Sequence, residues 1–248
     1  MKKLLALVLA LVMAMSCVVF ASAEEATSIA VCLSSEPDTL DPALNSAVDG
    51  ATMLAHLFSG LATWSTDENG KLVIVAECAE ELTEGVANED GTITYTYTLK
   101  DGLTWSDGKA LTANDFVFAW KRAASTALGA DYGYMFEVVK GYPDELAVEA
   151  TDEKTIVVTL NNAVAYWNEL LAFPTYFPVR EDVVASEAWA TEAATYVCNG
   201  PYTMADWAHN SVITLAKNPN YFGAESVTMD KIECYLSDDE NNMLANFE

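Results

Sequence analysis

The chain has 248 residues, 52% of them apolar, with 37 Asp or Glu against 12 Lys or Arg and a formal net charge of −25. That length and apolar content suffice to bury a core in one large domain or two small ones. So acidic a balance excludes nucleic acid, whose phosphates need Lys and Arg to release counterions, and disfavours docking on anionic lipid; it reads as a solubilising surface.

The first element in the chain is a processing signal. Lys2 and Lys3 precede an apolar run over residues 4–20, and Ala21-Ser22-Ala23 offers a small-residue cleavage site before Glu24 and Glu25. This is the pattern of a secretory signal peptide, residues 1–23, and not of a membrane span. Cys17 is the weaker alternative, a lipid attachment point. Ala14 is not the large aliphatic residue such a signal places three before its cysteine, and Val18-Val19-Phe20 continue the apolar run. Cleavage leaves Cys32, Cys78, Cys198 and Cys234. An even count in an exported chain permits disulfides. No C-x-x-C or zinc-like spacing occurs, however, and Cys32 and Cys234 lie in apolar strand-like runs, so buried free thiols are expected.

Ser28–Leu33 predicts a buried-type strand, followed by a polar, proline-punctuated loop over residues 34–42. Helical spacing runs through Met53, Leu54, Leu57 and Phe58 to Gly60. Two strands, 61–65 and Leu72–Ala76, flank the turn Asp67-Glu68-Asn69-Gly70. From Thr92 onward apolar and polar residues alternate strictly: Ile93, Tyr95, Tyr97 and Leu99 on one face, threonines on the other. That period reads as a half-buried strand. Turns at Asp101-Gly102 and Asp107-Gly108 follow. Thr112 and Asp115 then stand in capping-box spacing before a helical apolar face of Phe116, Val117, Ala119, Trp120 and Ala123, with Lys121 and Arg122 at its C-terminal end. Val148–Ala150 and Thr155–Leu160 read as a hairpin, as do residues 202–207 and Val212–Lys217, turning at His209-Asn210. Tyr166, Trp167, Leu170 and Leu171 recur at helical spacing, Lys231–Leu236 is a strand, and a helix begins after Asp238.

Enzymatic chemistry finds little support. Ser106 and Lys109 satisfy S-x-x-K, the acylation motif of penicillin-recognising enzymes, but Asp107-Gly108 makes a turn there and neither an S-D-N nor a K-T-G partner exists. His56 and His209 are isolated, too few for a metal site or a nucleophile–base pair. Phosphate-cradling glycine loops are absent, and the carboxylates are scattered. Binding remains. Among six Trp, eleven Tyr and nine Phe, the rings of Tyr132-Gly133-Tyr134 and of Phe173 to Phe177 fall in loop-like stretches, where packing under loops and contact with a ligand are equally good readings.

The run Gly91-Thr92, Tyr95-Thr96-Tyr97, Leu99-Lys100-Asp101-Gly102, Trp105-Ser106-Asp107-Gly108, Leu111-Thr112-Ala113, Asp115-Phe116-Val117 and Ala119-Trp120-Lys121-Arg122 resembles, without gaps, the signature of the extracellular solute-binding proteins of the oligopeptide/dipeptide family, capture subunits of ATP-driven importers. Ser35-Glu36-Pro37 with Thr39-Leu40-Asp41-Pro42-Ala43-Leu44 resembles its opening, and Asn218-Pro219-Asn220-Tyr221 a later element; Cys78 and Glu81 depart from it. The resemblance implies an α/β fold: a periplasmic-binding-protein-like type II lobe with an inserted α/β subdomain. Residues 24–58 and 181–248 would form the discontinuous lobe and 59–180 the insertion, with the second lobe missing and the sequence partial. It also implies no catalysis and no cofactor, but an extracytoplasmic monomer that captures peptides for the membrane permease of an ABC importer. The ligand would be held by strand-like main-chain hydrogen bonds in a cleft between lobes. Carried residue by residue, an extended edge falls at Asn45, Ser46, Ala47 and Val48, with Tyr132 and Phe173 facing or crossing near the cleft. Some peptide binders have an acid where this chain has Ser46. The alternatives are the same fold binding a nickel chelate, opine or oligosaccharide, and a secreted serine acyl-transferase using Ser106 and Lys109.

Overall fold

The computed structural model describes residues 26–247. The signal peptide of residues 1–23, with its Cys17 alternative, therefore lies outside the described residues. Three sheets organise the described residues. The first is mixed, in the order β1 (Ser28–Leu33), β10 (Lys231–Leu236), β9 (Val212–Lys217), β8 (Tyr202–Ala208). Its first and last strands pair in parallel, Ser28 opposite Lys231 through Leu33 opposite Leu236, and the other pairs are antiparallel. The hairpin between β8 and β9 turns at Asn210, whose φ of 58° is a left-handed conformation that asparagine tolerates. The second sheet is the ribbon of β2 (Ala62–Thr66) and β3 (Leu72–Ala76). The third is antiparallel: β4 (Val86–Ala87), β5 (Ile93–Thr98), β7 (Thr155–Leu160), β6 (Val148–Ala150).

The period-2 pattern does what its residues dictate. In β7, Ile156, Val158 and Leu160 are buried and the residues between them are half-buried. In β5, Tyr97 is buried between exposed Thr96 and Thr98, opposite Ile156. Gly102 and Gly108 close the two expected turns with φ of 73° and 82°, a region open to glycine without steric cost. Before them stands α1 (Val48–Leu57); after them stands α2 (Ala113–Ala124), which buries Phe116, Ala119, Trp120 and Ala123 against the third sheet. Its capping box forms: the Thr112 N–H donates to the Asp115 carboxylate at 2.8 Å. Short helices α3 (Trp167–Leu170) and α4 (Glu181–Val184) follow, and α5 (Glu240–Phe247) continues from β10. Trp120, Trp167, Tyr176 and Phe136 make one aromatic nest, edge-to-face at 5.3 Å for Trp120–Tyr176. Their polar edges are satisfied inside it: Trp120 Nε1 donates to the Tyr176 carbonyl and Trp167 Nε1 to the Tyr97 hydroxyl, both at 2.8 Å.

Two expectations are overturned. β1 is not a buried strand. It is the edge of its sheet, with Ile29 46% and Val31 40% exposed. Cys32 is consequently exposed rather than buried, whereas Cys78, Cys198 and Cys234 are buried, and all four thiols are free. Among the described residues no helix is long and apolar enough to cross a membrane.

Candidate ligand-binding site

The loop expected to carry the ligand edge is shaped by Asp41, whose side chain is almost wholly buried. Its Oδ1 accepts the Ala43 N–H at 2.9 Å, its carbonyl accepts those of Leu44 and Asn45, and its own N–H donates to Thr39 Oγ1 at 3.1 Å. Such a self-bonded Asx turn is what an Asp-Pro step favours. The turn is anchored behind by the Tyr196 hydroxyl donating to the Leu40 carbonyl and by the Leu40 N–H donating to the Ala190 carbonyl.

Of the four edge residues, the structure separates two from two. Ser46 and Ala47 are exposed, and Ala47 is extended at φ −103°, ψ 152°. Asn45 is buried, and its amide is spent locally, donating from Nδ2 to the Ala47 carbonyl at 3.0 Å. The same amide presses against Gly50, where a Cβ would fall 1.9 Å from Asn45 Oδ1, so the helix can approach the loop only with glycine there. Val48 corrects the expectation of an extended edge. It is the first residue of α1, because Asp49 and the Ala51–Ala47 backbone hydrogen bond already begin the helical turn, and its side chain stands 84% exposed.

The aromatic pair is brought together. The Tyr132 and Phe173 rings meet edge-to-face at 5.1 Å, and Tyr134, 53% exposed, lies 6.3 Å from Tyr132. The Tyr176 hydroxyl donates to the Met135 carbonyl at 2.9 Å, fastening the two segments beneath the rings. Among the described residues no hydrogen bond or ring contact joins Ser46 to Tyr132 directly. The last turn of α2 touches both neighbourhoods. Arg122 reaches the Asp41 loop through two hydrogen bonds, while the carbonyl of Ala123 lies so close to Gly133 that a Cβ there would sit 2.9 Å away. Asp41 and Arg122 were visible in the sequence, but only as parts of a motif.

The Ser106–Lys109 motif is otherwise employed. Ser106 Oγ accepts the Cys198 N–H, its own N–H donates to the Cys198 carbonyl, and its carbonyl accepts the Asn220 amide. Lys109 pairs with exposed Asp182 at 2.9 Å. The turn thereby straps the third sheet's connections to the segments flanking β8 and β9, with the serine hydroxyl engaged and the lysine turned to another partner. His56 Nδ1 bonds the Thr52 carbonyl one turn back along α1. His209 pairs with Glu36, which also accepts Trp207 Nε1 and the Asn210 N–H. The Glu36 contact raises the His209 pKa. Burial pulls Glu36 upward, but its hydrogen bonds outweigh that and hold it below the usual carboxylate range. No group of three or more His, Cys, Asp or Glu suited to a metal occurs among the described residues.

A mixed sheet joined by the first and last strands accompanies a second α/β layer, whose helix end lies beside an exposed loop and an aromatic pair. The family profile of bacterial extracellular solute-binding proteins, family 5 Middle, matches residues 77–248, and the chain belongs to that family. It is 33% identical over 234 residues to the oligopeptide-binding protein OppA of Bacillus subtilis (strain 168), covering 90% of this chain and 41% of that one. It is 35% identical over 220 residues to the probable deoxycholate-binding periplasmic protein YgiS of Escherichia coli (strain K12), covering 84% and 39%. The solved structure of Listeria monocytogenes OppA bound to peptide is similar at a TM-score of 0.80 and 29% identity, covering 90% of this chain and 45% of that one. The chain thus spans about two fifths of the length of these curated relatives, and its fold is that of a type II solute-binding lobe.

Proposed function

We propose that this chain is part of an exported solute-binding subunit that captures short peptides in a cleft for the permease of an ABC importer, with no bond-breaking step of its own. The observation that carries the reading is that Arg122 bonds Asp41, in the loop leading to the exposed Ser46-Ala47 edge, while the carbonyl of the next residue, Ala123, packs closely against Gly133 beside Tyr132, whose ring meets Phe173. An extended backbone offers a peptide main-chain hydrogen bonds, and rings beside it cover side chains without demanding one identity. Export by a signal peptide at residues 1–23 suits the acidic surface. The division into a lobe of 24–58 and 181–248 and an insertion of 59–180 is supported by sheet membership: the mixed sheet draws its strands from the former, the ribbon and antiparallel sheet from the latter.

A second reading keeps the fold and changes the solute to a non-peptide. The similarity to a relative named as probably deoxycholate-binding favours it. Calorimetry of the full-length protein that carries this chain separates the two. Mixed di- to pentapeptides are expected to bind in the micromolar range or tighter, and deoxycholate weakly or not at all. Binding of deoxycholate, a sugar or a metal chelate alone would reject peptide capture.

A further inference from the structure

We infer that Arg122 and Asp41 form a positioning pair, a fork-to-fork clamp through which α2 sets the ligand-facing loop and the Tyr132 segment relative to one another. The inference rests on the capture reading above and assigns a role to two residues that touch no ligand themselves.

The geometry is specific. Arg122 Nη1 donates to Asp41 Oδ1 at 3.0 Å and Nη2 to Oδ2 at 2.5 Å, so both guanidinium arms meet both carboxylate oxygens. The side chains are 16% and 2% exposed, which leaves this pair less accessible on both sides than the Lys109, Lys140 and Lys154 pairs on the surface. Two parallel hydrogen bonds fix orientation as well as distance, which a lysine ammonium cannot do. The same Asp41 carboxylate caps the Ala43 N–H, and its carbonyl holds Leu44 and Asn45, the residues that lead straight into Ser46. Any rotation of the carboxylate would therefore be passed on to the exposed edge. On the helix side, Arg122 is followed by Ala123, whose carbonyl abuts Gly133, and Gly133 is flanked by Tyr132 and Tyr134. One helical turn thus carries a rigid strut to the loop and a tight backbone seat for the rings. A pair serving stability alone would not need to link the two segments that carry the binding surfaces.

Arg122→Lys tests this while retaining the charge, so that no lone carboxylate is left buried. Two readouts are needed. In the ligand-free protein, amide hydrogen exchange at residues 44–47 and 130–134 is expected to accelerate together, with the β8–β9 hairpin unchanged. In peptide titrations, affinity is expected to fall about tenfold or more, compared with Ile213→Val, a remote core change that lowers stability without touching either segment. Asp41→Asn, which keeps the shape and removes the charge, is expected to reproduce both effects. Exchange that stays unchanged, or that accelerates in one segment only, overturns the clamp. Equal loss of affinity in Arg122→Lys and in Ile213→Val at matched melting temperature also overturns it, in favour of a merely structural pair. If exchange accelerates in both segments but the unsubstituted protein binds no peptide, the clamp stands and the peptide reading falls.

Discussion

Glu77, just past β3, accepts the Ser59 hydroxyl at 2.8 Å, with the Gly60 N–H, the Lys100 ammonium and the Tyr221 hydroxyl around it. Burial outweighs these partners and raises its pKa from the ordinary 4.5 to about 7. The folded chain consequently keeps this proton where the unfolded chain has released it. Stability therefore falls as pH rises between about 4.5 and 7 and carries the full penalty above 7. Glu77→Gln should remove that slope. Relative to the unsubstituted protein, the variant should gain up to about 3 kcal/mol more at pH 8 than at pH 4.5. Urea unfolding at the two pH values measures it, and an equal difference at both would show that the carboxyl is not held protonated. At the same scale, Ser106 and Lys109 each have partners of their own: the hydroxyl accepts a backbone N–H and the ammonium is 2.9 Å from Asp182.

At the scale of elements, the pieces legible in the sequence are those whose information is local. β5, β7 and the β8–β9 hairpin follow from alternation and turn residues, and α2 follows from its capping box and apolar stripe. Asp115 should matter accordingly. It accepts the Thr112 N–H and lies 3.4 Å from Trp105 Nε1, so Asp115→Ala is expected to cost about 1–2 kcal/mol in denaturant unfolding. No loss would mean that tertiary packing alone fixes the start of α2. Elements set by distant partners were not legible. SIAVCL reads as buried by composition, yet in the described residues its strand has a single neighbour, β10, some 200 residues away, and its edge position is not written in its own residues. The start of α1 at Val48 was hidden because its N-cap is Ala47, which offers no side-chain oxygen, and because the helical apolar pattern begins only at Met53. Short helical turns such as Pro174–Tyr176 lack the length to show any period.

At the scale of the whole molecule, the candidate site is legible only through the family resemblance. That resemblance points to Asn45, Ser46, Ala47, Val48, Tyr132 and Phe173; the structure buries Asn45, leaves Ser46, Ala47 and Val48 exposed, and brings the Tyr132 and Phe173 rings to 5.1 Å. It could not reveal that Asn45 is consumed by its own loop, or that residues 81 apart, Asp41 and Arg122, bind the two neighbourhoods through one helix end. In the proposed mode of capture a ligand is held by its main chain. Titration of the full-length protein with a tight-binding peptide, its alanine-substituted variants and its backbone N-methylated variants tests this. Alanine changes are expected to move the affinity by less than about fivefold, and single N-methylations in the central residues by more than that, at roughly 1–3 kcal/mol per hydrogen bond lost. The reverse ranking, with side chains decisive and N-methyl groups tolerated, would contradict it.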